Sequence, residues 1–157
     1  MFRFATDGRV RWPITIDQVQ EDGTTQAQGF GVVYTILTRG ELRDRESRLQ
    51  AYTRALHALY PPEGQPDTAE LAAQRAELTD KRVVEDDTLL LQRITGWDSI
   101  ADQNGKDIPF SEAMLRAFLA DALLRQTLLG GLIDASLGAP AKNSLPGLAG
   151  MPARAQA

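Results

Sequence analysis

Apolar and polar positions alternate with a two-residue period over the first forty residues of the chain and with a helical period over most of the remainder. From Val10 to Thr38, Ile14, Ile16 and Val19 fall near an alternating spacing, and Glu21-Asp22-Gly23-Thr24 then supplies turn formers. In the second arm Phe30, Val32, Tyr34 and Ile36 share one side of an extended segment, with Val33 and Leu37 on the other. The pattern predicts an antiparallel hairpin over 9–38 with one strongly apolar face that needs a cover. Pro13 cannot donate a ladder hydrogen bond, which places the first strand at an edge or starts its paired part after that residue.

At Thr38-Arg39-Gly40-Glu41 the period changes, and a Thr with Glu three residues later predicts a capping box. Leu42, Leu49, Tyr52, Leu56, Leu59 and Tyr60 then recur at helical spacings and predict one buried stripe, ended by Pro61-Pro62-Glu63-Gly64. Asp67-Thr68-Ala69-Glu70 starts a second, long helix to about Gln92 with no Gly or Pro inside. Its apolar residues crowd into the C-terminal half, so that half is expected in the core while the first half projects. Residues 94–110 read as a small turn or miniature hairpin around Asn104-Gly105. Ser111 is the expected cap of a third helix carrying Met114, Leu115, Phe118, Leu119, Ala122, Leu123, Leu128, Leu129, Leu132 and Ile133. Those residues cover more than one stripe, so this helix is either central or gives a face to another chain.

The expected fold class is α+β: an N-terminal antiparallel hairpin, open to a further strand, packed on about three helices. It forms a single domain over 1–137, followed by a flexible tail over 138–157 whose only charges are Lys142 and Arg154.

Composition narrows the function. The 157 residues are 43% hydrophobic and 24% charged, which suits a globular domain. The net charge of −4, with no basic run longer than Lys81-Arg82, argues against nucleic-acid binding. The absence of Cys removes thiol nucleophiles and thiolate metal sites and fits a reducing cytoplasm. The N-terminus lacks the apolar core of a signal peptide. Ala113 to Leu137 would carry Arg116, Asp121, Arg125 and Asp134 into a bilayer, which argues against a membrane span.

Catalytic and metal motifs are weak. The single His57 has no nucleophile or carboxylate at triad spacing and reads as a structural or surface residue. Aligning Gly105 with the glycine of a calcium loop puts Ile100 and Ser111 where ligands belong, so Asp98, Asp102, Asn104 and Asp107 read as a solvated turn. Asp44-Arg45-Glu46 and Glu85-Asp86-Asp87 read as solvated helix faces. Gly29 and Gly31 suit a bulge or close packing, and Gly130-Gly131 a kink or tight helix crossing. Trp97 is expected to anchor its turn to the core, with partner docking as the alternative; Trp12 carries more weight on exposure. No cofactor is implied.

Three stretches carry a resemblance. They are Arg11-Trp12-Pro13-Ile14-Thr15-Ile16 with its hairpin into Leu37-Thr38-Arg39-Gly40-Glu41-Leu42, Ile94-Thr95-Gly96-Trp97-Asp98 through Asn104-Gly105 to Ile108-Pro109-Phe110-Ser111-Glu112, and Gly138 to Lys142-Asn143. Together they resemble tail assembly chaperones and similar small tail proteins of long-tailed bacteriophages, over about two thirds of the chain. The middle block is the most specific, and these motifs specify turns and packing rather than chemistry. The resemblance implies a non-enzymatic assembly factor in the host cytoplasm. Such a factor coats the long helical tape measure protein, keeps it soluble and recruits tail tube subunits; self-association is open to it. The alternative is a permanent component of the tail or head-tail junction. A small hydrolase or metal enzyme is disfavoured by the failed motifs. The candidate partner-binding residues are Trp97, Phe110, Leu115, Phe118, Leu119, Leu129 and Leu132, and core is the favoured reading for most of them.

Overall fold

A computed structural model describes residues 7–19, 22–102 and 104–138. The flexible tail expected over 138–157 lies outside the described residues from 139 onward, as do Lys142 and Asn143 of the resemblance. The order of elements is β1 (Arg9–Val19), β2 (Thr25–Thr35), α1 (Arg39–Ala58), α2 (Ala69–Arg93), β3 (Ile94–Asp98), α3 (Glu112–Leu119) and α4 (Ala122–Leu137). The chain separates into two compact units, one of residues 37–92 and the other of the segments on either side, where the sequence suggested one domain over 1–137.

The larger unit is α+β. Its hairpin forms as expected, with Val10, Trp12, Ile14 and Ile16 opposite Tyr34, Val32, Phe30 and Gln28. The segment read as a turn at 94–98 is instead a third strand, antiparallel to β2, giving the order β1-β2-β3. Ile94 and Trp97 pair with Tyr34 and Val32, which extends the apolar face of the hairpin by one strand. Thr95 is the extra residue of a bulge, and its hydroxyl donates to the Val33 carbonyl at 3.3 Å. The miniature hairpin is present just beyond, tied by Ala101 opposite Asp107 and by Ile108 N–H on the Ile100 carbonyl at 2.8 Å. Gly105 holds the left-handed conformation (φ 76°) this turn requires.

The expected third helix is two helices. Ser111 caps α3 as anticipated, accepting from Met114 N–H at 3.2 Å. The run then breaks at Asp121, whose backbone is extended and whose carboxylate accepts from Leu124 N–H at 2.9 Å. An Asp offered to free amides is a strong N-cap, and the apolar period, continuous across the joint, hid it.

α4 lies on β1, and its buried residues Leu128, Gly131, Leu132 and Ala135 follow one helical stripe. With Ile14, Val32, Tyr34, Ile94, Leu115 and Leu119 they form the core of this unit. The tight crossing expected at Gly130-Gly131 occurs at the second glycine. A Cβ on Gly131 would stand 2.5 Å from Ile14 Cδ1 and 2.8 Å from Tyr34 Oη, whereas Gly130 faces open space. Tyr34 is fully buried and donates to the Leu128 carbonyl at 2.9 Å; burial pushes its phenol pKa well above the ordinary value.

The smaller unit is a helical hairpin. The capping box at Thr38 and Glu41 is complete. α1 and α2 run antiparallel, joined by Arg45 to Asp86 at 2.8 Å near one end and by Arg75 to the Leu59 carbonyl at 2.8 Å near the other. Arg75 also pairs with Asp67 and stacks on Tyr60, 4.5 Å from the ring centroid. The buried stripe expected on α1 is a correction: none of its residues is buried, and Leu49 and Tyr60 are exposed. Leu42, Tyr52, Leu56 and Leu59 are covered only in part. Leu37 and Leu90 are the buried apolar residues of this unit; Leu90 is the one buried residue of α2, and Val84, in the C-terminal half expected in the core, is 63% exposed.

The two neighbouring glycines separate packing from propensity. Gly130→Ala is expected to stabilise by about 0.5–1 kcal/mol, because alanine is the better helix former and meets nothing. Gly131→Ala is expected to destabilise by about 1–3 kcal/mol through overpacking against Ile14 and Tyr34. Urea unfolding of both variants checks this, and equal effects would remove Gly131 as the contact point.

Candidate functional site

The sheet-and-helix unit carries an apolar groove beside its aromatic cluster. Trp97 is the centre of that cluster. Its indole N–H donates to the Ile108 carbonyl at 2.8 Å, Phe110 meets its ring edge-on at 4.8 Å, and Phe118 stacks on it at 5.0 Å. Aromatic pairs of this kind add about 0.5–1.5 kcal/mol each beyond their burial. Trp97 therefore ties β3, the miniature hairpin and α3 together, the anchoring role expected of it.

Phe118 also lines a groove of about 490 Å³ that opens to solvent. It is lined by the distal half of the hairpin, from Ile16 to Val19 and from Gln28 to Phe30, by Phe118, Asp121, Leu123 and Leu124 at the joint of α3 and α4, and by Ser99, Ile100, Ala101 and Ile108. Leu123, which lines it, is 56% exposed, unusual for a large apolar side chain. Concave apolar surface of this size suits ligand or peptide binding.

The proposed contact residues divide by burial. Leu115, Leu119 and Leu132 are buried inside the unit, where no partner reaches them in this conformation. Trp97, Phe110, Phe118 and Leu129 are partly exposed, and of these Phe118 lines the groove. Ile16, Val19, Phe30, Leu123 and Leu124 were missed as candidates. Only the break at Asp121, which turns the start of α4 toward the hairpin tip, brings them together.

The other face of the sheet holds an ion pair. Arg11 on β1 reaches Asp98 on β3 across the middle strand, with Nε to Oδ2 and Nη2 to Oδ1 both 2.6 Å. Gly31 lies beneath the guanidinium, and a Cβ there would come within 2.6 Å of three of its atoms. The close packing expected at Gly31 is thus the passage of this side chain. The hydrogen bonds from Arg11, more than the Coulomb attraction, hold the Asp98 carboxyl below the ordinary carboxylate range, and a bond from Ser99 adds to this.

The remaining sequence candidates stand apart from the groove or outside any cluster. His57 is exposed in the last turn of α1. The Asp102 carboxylate accepts from the Asn104 and Lys106 amides and so shapes its own turn. Among the described residues no three His, Asp or Glu side chains converge as a metal site requires. Asp86 departs from the expected solvated face, because Arg45 and Arg82 cover it to 14% exposure. Among the described residues no helix is long and apolar enough to cross a membrane. No protein-family profile, curated protein or solved structure gives a significant match to the chain.

The Arg11–Asp98 pair predicts a pH dependence. Because the folded-state carboxyl is depressed, its stabilisation is complete above the unfolded Asp value near about 4 and is lost as pH falls through the folded value. Both side chains are about half exposed, so the contribution at neutral pH is expected to be no more than about 1 kcal/mol. Asp98→Asn should lower the melting temperature at pH 7, and the difference from the parent should shrink as pH falls below about 4; a difference that does not shrink would assign the loss to packing.

Proposed function

We propose that this chain is a non-enzymatic tail assembly chaperone of a long-tailed bacteriophage, acting in the host cytoplasm on the tape measure protein and recruiting tail tube subunits. The observation that carries the reading is the apolar groove built beside the Gly96-Trp97-Asp98 and Ile108-Pro109-Phe110 block, the segment in which the resemblance is most specific. Those residues stabilise a concave surface and present no converging catalytic groups, which suits a protein that holds another chain. A tape measure protein offers long apolar helical surface with no core of its own. Reversible cover of such surface needs exposed apolar side chains on a rigid frame, and Leu123 in the groove is one. The acidic balance of the chain supports a protein partner over a nucleic acid or an anionic membrane surface.

The alternative is a permanent tail or head-tail component, in which the outer edge of β1 pairs with a neighbouring sheet. Co-expression with the tape measure reading frame that this reading expects nearby, capture of this chain, and light scattering of the eluted complex separate the two. A soluble complex with many copies per tape measure, and absence from purified particles, is the expected result. No complex, with the chain present in particles, would replace the chaperone reading with the structural one.

A further inference from the structure

α4 is apolar on two sides, and the sheet uses only one. The residues it buries, Leu128, Gly131, Leu132 and Ala135, point toward β1 and the core. On the opposite side Leu123, Gly130 and Leu137 recur at intervals of seven residues, which at about 100° per residue sets all three along one line. Leu123 and Leu137 are 56% and 64% exposed, and a Cβ on Gly130 would meet nothing within 4 Å. Gln126 is exposed, and Ile133 and Asp134 are half-buried, beside the same line.

This stripe is complementary to itself. Leu123 and Leu137 stand two turns on either side of Gly130. A twofold axis through Gly130, relating two antiparallel copies of α4, therefore sets Leu123 of each copy opposite Leu137 of the other, and Gln126 opposite Asp134. At the axis glycine meets glycine, so the two backbones can approach closely. The Gln126 amide can donate to the Asp134 carboxylate, twice by symmetry. A parallel pair would instead oppose Asp134 with itself, a like-charge contact. Antiparallel helices also set their dipoles head to tail. Symmetry and charge thus single out a second copy of this chain as what the stripe fits.

We propose that the outward face of α4 is a self-association surface through which two copies pair antiparallel about Gly130. One 16-residue helix from each copy is small against the roughly 1,200–2,000 Å² of a stable interface, so the dimer is reversible and half formed at about 10–100 μM. The inference goes beyond the chaperone reading and does not rest on it. Leu123 also lines the groove, so pairing shields one of its leucines between encounters with another chain.

Sedimentation of the full chain from about 1 μM to about 1 mM should show the mass rise from one copy toward two. Two double variants read the arrangement. Leu123→Glu with Leu137→Lys puts opposite charges across the axis of an antiparallel dimer and like charges together in a parallel one. Leu123→Glu with Leu137→Glu puts like charges together in either. The first is expected to dimerise at least about tenfold more tightly than the second. Both should keep the parental circular dichroism, because both positions are exposed. The chain has no Cys, so introduced thiols give clean cross-links. Gly130→Cys should form a disulfide dimer with itself on oxidation, since the axis brings the two positions into contact. Gln126→Cys should link poorly to itself and well when mixed with Asp134→Cys. A chain that stays monomeric to about 1 mM, equal dimerisation of the two double variants, or Gln126→Cys linking to itself as fast as to Asp134→Cys would each overturn the inference. The tape measure co-expression reads the chaperone proposal separately, so either can fail alone.

Discussion

The contact on which the larger unit depends is the crossing of α4 over the sheet at Gly131. A helix that meets a sheet through a glycine approaches by the depth of a side chain, and Ile14 and Tyr34 fill the space gained. That closeness lets the Tyr34 hydroxyl reach the Leu128 carbonyl within the core, so a buried polar atom is satisfied. It also sets where α4 can begin. With its axis fixed on β1, the first turn of α4, capped by Asp121, stands beside the distal hairpin, and the groove is the gap left between them.

Two further constraints shape that gap. The Trp97 cluster fixes α3 and the miniature hairpin against the end of β3, through one hydrogen bond and two ring contacts. The left-handed Ser99 ends β3 where Gly31 leaves room for Arg11 to cross to Asp98. Among the described residues the sheet is therefore three strands wide from Gly31 to Tyr34 and two strands wide from Thr25 to Phe30.

Much of the local structure was legible because it arises from local chemistry. The capping box at Thr38, the cap at Ser111, the hairpin turn near Gly23, the 25-residue α2 and the anchoring of Trp97 all depend on residues close in sequence or on a single strong preference. The hidden features depended on tertiary context. Residues 94–98 contain Gly96 and end in Asp98, and nothing in so short a run marks it as a strand until β2 supplies the partner edge. Asp121 looked like a polar position on one long helix, since the apolar period survives the break. The α1 stripe was read correctly as amphipathic, yet periodicity gives only the direction of a face and not how much lies over it.

The same distinction governs the candidate site. Apolar richness in α3 and α4 drew attention to Leu115, Leu119 and Leu132, and these residues are the ones most deeply committed to the core. A contact surface is built from apolar residues that the fold fails to cover. Coverage is a property of the assembled unit and has no signature in a helical period. Leu123 illustrates the point: one position into α4, it shares its neighbours' chemistry and differs only in lying before the helix reaches the sheet. If Asp121 did not restart the helix there, the run would continue from α3 with no break at the groove. The N-cap is thus the residue through which a local backbone preference shapes the groove.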